Sequence, residues 1–67
     1  MSKLPDLAFY KEASKQAHEQ MASYVKMIPN PDKKVIEYFN SIISRADKAA
    51  TLVGKDPQRA IDVYLGS

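Results

Sequence analysis

Ile28-Pro29-Asn30-Pro31-Asp32 decides the fold of this chain. A long stretch with helical periodicity lies on either side of it. Two prolines so close together cannot sit inside one continuous helix, because each removes an N–H and clashes with the turn before it. Pro29 also drives Ile28 out of helical geometry. Asn30 reads as the N-cap of a new helix, Pro31 as its first residue and Asp32 as favourable charge at its positive end. The chain therefore reverses direction here. The expected fold is all-α: an antiparallel helical hairpin with a short third C-terminal helix, a small three-helix bundle.

Upstream of the turn, the pattern predicts a helix over residues 6–28. Leu7, Tyr10, Ser14, Ala17, Met21, Tyr24 and Ile28 alternate at spacings of three and four, a seam of period 3.5. Glu12, Lys15, Gln16, Glu19, Ser23 and Lys26 occupy the other face. No glycine or proline interrupts the stretch, so propensity agrees with pattern. Downstream, the pattern predicts a helix over residues 31–53. Val35, Phe39, Ile42, Ala46, Ala49 and Val53 repeat the alternation, and Gly54 follows as the expected C-cap residue.

Antiparallel pairing about the turn sets Tyr24 near Phe39, Met21 near Ile42, Ala17 near Ala46 and Ser14 near Ala49. Bulky residues meet close to the turn and small ones toward the open end, where space is left for a third element. That element is predicted over residues 57–65. Asp56 is its N-cap, Pro57 its first residue and Gly66 its terminator, with Ala60, Ile61, Tyr64 and Leu65 forming an apolar stripe. A helix this short does not persist alone and must dock on the hairpin.

At 67 residues the chain is one domain, 1–67. A domain of this size buries only about 60% of the surface its unfolded chain exposes. It has no cysteine, so no disulfide supplements the core. Good helix packing or association with another chain must make up the difference. The net charge is +2, with acidic and basic residues interspersed and no basic run of the kind that tracks phosphates. No apolar run reaches the roughly 20 residues of a membrane span, and Met1-Ser2-Lys3-Leu4-Pro5-Asp6 lacks a signal-peptide core. A cytoplasmic address and no membrane association are expected.

Catalytic chemistry finds little to work with. His18 is the single histidine; Ser14 is a turn away, with no third orienting group and no oxyanion loop, so no triad forms. The carboxylates Glu12, Glu19, Glu37 and Asp47 lie on polar faces, and the Glu-x-x-His spacing of a bundle metal site does not occur. The chain is expected to have no enzymatic activity, no catalytic or metal-binding residues, no cofactor and no small-molecule substrate.

Apolar and aromatic residues nevertheless exceed what one hairpin seam covers. Phe9, Tyr38 and Leu52 lie off the seams, and four of the six aromatic residues are tyrosines, which suit half-wet interfaces. The expected function is protein–protein interaction as a small regulator, adaptor or assembly factor. An apolar helix face would be buried against a protein partner or a second copy in a homodimer, with Phe9, Tyr10, Tyr38 and Tyr64 as candidate partner-binding residues. The alternative is a small DNA-binding regulator. Residues 49–65 then read as a helix-turn-helix, with Gln58 and Arg59 reaching base edges.

Overall fold

The computed structural model describes residues 3–66; Met1, Ser2 and Ser67 of the expected 1–67 domain lie outside the described residues. It is all-helical, with α1 (Leu7–Met27), α2 (Lys33–Leu52) and α3 (Pro57–Tyr64). An aspartate caps each helix. The Asp6 carboxylate accepts from Phe9 N–H at 3.0 Å, Asp32 from Lys34 N–H at 2.8 Å and Asp56 from Arg59 N–H at 3.1 Å. Each satisfies one of the orphan donors of a first turn and sets negative charge against the positive end of the helix.

The turn forms where the prolines place it, but the second cap is shifted. Asp32, not Asn30, is the N-cap of α2, and the helix begins at Lys33 rather than Pro31. The reason is tertiary as well as local. The Tyr24 hydroxyl reaches across the turn and accepts the Asp32 N–H at 2.9 Å, while the Tyr24 carbonyl accepts Ile28 N–H at 3.0 Å. One residue thus fastens both ends of the connection. Ile28 is extended, as its following proline requires.

Gly54 does not act as the C-cap. Among the described residues Gly66 is the glycine with positive φ, at 83°. Helix α2 ends instead with the Leu52 carbonyl accepting from both Lys55 N–H (2.9 Å) and Asp56 N–H (2.7 Å). The same peptide that closes α2 therefore feeds the cap of α3, so the chain enters the third helix without a left-handed residue. Asp56 and Pro57 hold the N-cap and N1 positions that the sequence assigns.

Helices α1 and α2 pack antiparallel. The Tyr24 and Phe39 rings meet near the turn with centroids 6.4 Å apart. Helix α3 packs on α2 at the open end. The core there joins one residue from each helix: Tyr10, Ala49 and Ala60, all fully buried. The two alanines are what makes room for the tyrosine ring, the largest fully buried side chain among the described residues. Ala17, Ala46 and Ile43 continue the buried seam along the hairpin. The molecule is elongated, 44 × 21 × 20 Å, because α3 spans less than half the length of the hairpin it lies on.

Candidate protein-binding face

The four aromatic residues singled out by sequence fall into different environments. Tyr10 is 0% exposed, so it belongs to the core and is not offered to a partner in the folded chain. Sequence placed it on the helix-one seam, and the docking of α3 over the open end is what removes it from solvent. Tyr64 is half-buried, whereas Phe9 and Tyr38 are 45% and 61% exposed. Phe9, Tyr10 and Tyr64 meet edge to face in a three-ring cluster, with centroids 5.3, 5.6 and 5.7 Å apart. Such geometry sets the positive edge of one ring against the negative face of the next. Tyr38 lies against Phe39 at 5.8 Å, in a second aromatic group near the turn.

Among the described residues, two buried polar atoms lack a hydrogen-bond partner: the Tyr10 hydroxyl oxygen and the Arg45 Nε. Burial, and then the nearby Tyr64 hydroxyl, push the Tyr10 phenol above its ordinary value, since an ionised phenolate would find neither water nor a counter-charge there. The Arg45 side chain passes beneath the end of α3. A Cβ at Gly66 would stand 3.1 Å from its Nη1.

Between the aromatic clusters the structure holds an open groove of about 350 Å³. Helix α1 contributes Phe9, Ala13, Ala17 and the polar side chains Glu12, Gln16 and Gln20; Ile42 of α2 and Tyr64 of α3 complete the lining. Gln16 Nε2 donates to Glu12 Oε1 at 3.1 Å, which holds the polar edge in place. Sequence reasoning found Phe9 and Tyr64 but not Ala13, Gln16, Gln20 or Ile42. The signal was available: Phe9, Ala13, Gln16, Gln20, Ser23 and Met27 form a second stripe at spacings of four and three on α1. It was masked because the middle of that stripe is polar.

Gln58 and Arg59 are both exposed on α3. Gln58 Nε2 donates to Asp62 Oδ1 at 3.4 Å, and the Asp56 cap lies beside them. His18 is exposed while Ser14 is buried, so the two residues a turn apart do not share an environment. Among the described residues no three His, Cys, Asp or Glu side chains gather as a metal site would need. No helix among them is long and apolar enough to cross a membrane. Comparison with protein-family models, curated proteins and solved structures returns no match.

Proposed function

We propose that this chain works without catalysis, by docking a helix of a protein partner along the exposed flank of α1, in the manner of a small regulator, adaptor or assembly factor. The observation that supports this reading is the groove from Phe9 to Gln20. It is apolar on its floor, carries amide and carboxylate groups on its rim, and is about three helical turns long. Apolar anchors ringed by polar groups are the anatomy of a helix-in-groove contact. Met27, 75% exposed on the same flank, adds a flexible thioether that adapts to a partner. A cytoplasmic setting forms part of the proposal.

A photoreactive amino acid in place of Gln16, and separately in place of exposed His18 on the other side of α1, tests the reading. Cross-links to protein from the first position and not from the second are expected. Equal labelling from both, or none from Gln16, would rule the flank out. The DNA-binding alternative rests on Gln58 and Arg59 being exposed together. It is disfavoured by the carboxylates of Asp56 and Asp62 beside them, which would face phosphate. A chain that shifts no duplex DNA even at low salt lacks the electrostatic binding that alternative needs.

A further inference from the structure

The surface of this molecule is larger than its mass calls for. A folded chain of 7.5 kDa exposes about 4,250 Å² by the general size relation, whereas this one exposes 5118 Å². The excess, roughly 900 Å², is about what one subunit contributes to an interface of ordinary size. The shape agrees: the radius of gyration is 13.4 Å, against roughly 11 Å for a compact chain of this length.

The uncovered stripe on α1 is complementary to itself when reversed. Phe9 and Met27, the two large exposed apolar residues on it, stand at opposite ends. Ala13 is half-buried, and Gln16, Gln20 and Ser23 are exposed between them. Laid against a second α1 running the other way, Phe9 faces Met27, Ala13 faces Ser23 and Gln16 faces Gln20. Every layer then has a fitting pair: a ring with a thioether, two small residues, and two primary amides that can each donate and accept. A parallel arrangement would instead oppose Phe9 to Phe9 and Met27 to Met27. The edge charges favour the reversed arrangement too. Glu12 of each copy comes opposite Lys26 of the other, giving two opposite-charge pairs against one like-charge meeting, that of Glu19 with the Glu19 of the second copy near the two-fold axis, where Lys15 lies one turn away on its own helix.

Resting on the helix-docking reading above, we infer that the occupant of this flank is a second copy of the chain, its α1 antiparallel to the first, in a two-fold symmetric dimer. Each α1 then fills the groove of the other copy, and the interface repeats itself about the axis, as a closed dimer requires.

Sedimentation equilibrium on the purified 67-residue chain, from about 1 μM to about 1 mM, tests the association; a standard-size interface spans micromolar affinity and tighter. A doubled mass above about 100 μM is expected. Two cysteine variants and a charge reversal with its compensating swap test the geometry, and the cysteine changes are small enough to leave the fold in place. Under mild oxidation, Ala13→Cys chains mixed with Ser23→Cys chains should give a disulfide-linked pair. Each variant alone should not, because like positions are about 15 Å apart in this register, beyond disulfide reach. Glu12→Lys should weaken the dimer about tenfold or more, and adding Lys26→Glu to the same chain should restore it. A mass that stays monomeric throughout would overturn the proposal, and so would cross-linking within each variant alone. If a monomeric mass coincides with photo-cross-linking from position 16 to a different protein, the second copy is wrong and the docking reading stands. If cross-linking from that position also fails, both fall.

Discussion

Tyr10→Phe should make this protein more stable. The tyrosine ring is fully buried against Ala49 and Ala60, and its hydroxyl has no hydrogen-bond partner. Burying a hydroxyl in that state costs about 1–3 kcal/mol on mutational scales. Phenylalanine keeps the ring, its edge contacts with Phe9 and Tyr64, and the volume that the two alanines leave for it. The expected gain is about 1 kcal/mol, or a rise in Tm of about 4–8 °C for a domain of this length. Thermal and urea unfolding followed by circular dichroism would read it.

The same substitution should change the response to alkali. In the unfolded chain Tyr10 titrates near its ordinary 10.0, and in the folded chain burial and then Tyr64 raise it. Between the two values the unfolded chain has lost the proton and the folded chain still holds it. Stability is therefore complete below about pH 10 and declines as pH climbs through the folded value, by up to about 1.4 kcal/mol per pH unit. The phenylalanine variant should lack this contribution to the alkaline slope. A variant less stable than the parent by more than about 0.5 kcal/mol at neutral pH would refute the reasoning, because it would mean the hydroxyl is satisfied. An unchanged alkaline slope would refute the burial.

Gly54→Ala should be neutral or stabilising by up to about 1 kcal/mol, since its φ is not positive and nothing lies within 4 Å of an added methyl. Gly66→Ala should cost about 1–2 kcal/mol, because φ is +83° there and the new methyl would press on the Arg45 guanidinium; paired urea titrations would show opposite signs. Asp56→Ala should remove about 1 kcal/mol through loss of the α3 cap. Amide exchange should then speed up first in residues 57–64, and equal acceleration across α1 would contradict a separately capped third helix. Tyr24→Phe deletes the bond to Asp32 N–H and should cost about 0.5–1 kcal/mol, seen as faster exchange at that amide.

The hairpin was legible because Pro29 and Pro31 leave no continuous alternative, and the pairing of Tyr24 with Phe39 followed from counting outward from the turn. The position of the cap was not. Asn30 and Asp32 are both good cap residues, and the choice depends on a hydroxyl eight residues upstream that joins the turn only after folding. Gly54 misled for a related reason: the usual glycine stop gives way when the next helix begins at once and supplies Asp56 N–H to the last carbonyl. Tyr10 could be placed on a seam from periodicity. Its complete burial depends on three helices meeting around two alanines, which no single helical pattern states. The groove was the least visible part. Its apolar ends, Phe9 and Met27, are separated by Gln16, Gln20 and Ser23, so the stripe reads as solvent-facing until exposure is known residue by residue.

The most direct test of the account is a nuclear Overhauser spectrum of the chain at about 1 mM, read for one pair: the Phe9 ring and the Met27 methyl. Within one helix they are about 27 Å apart along the axis, too far for transfer. The self-docked flank predicts a cross-peak between them that persists when labelled and unlabelled chains are mixed and only inter-chain signals are kept. No cross-peak between them at that concentration would contradict it.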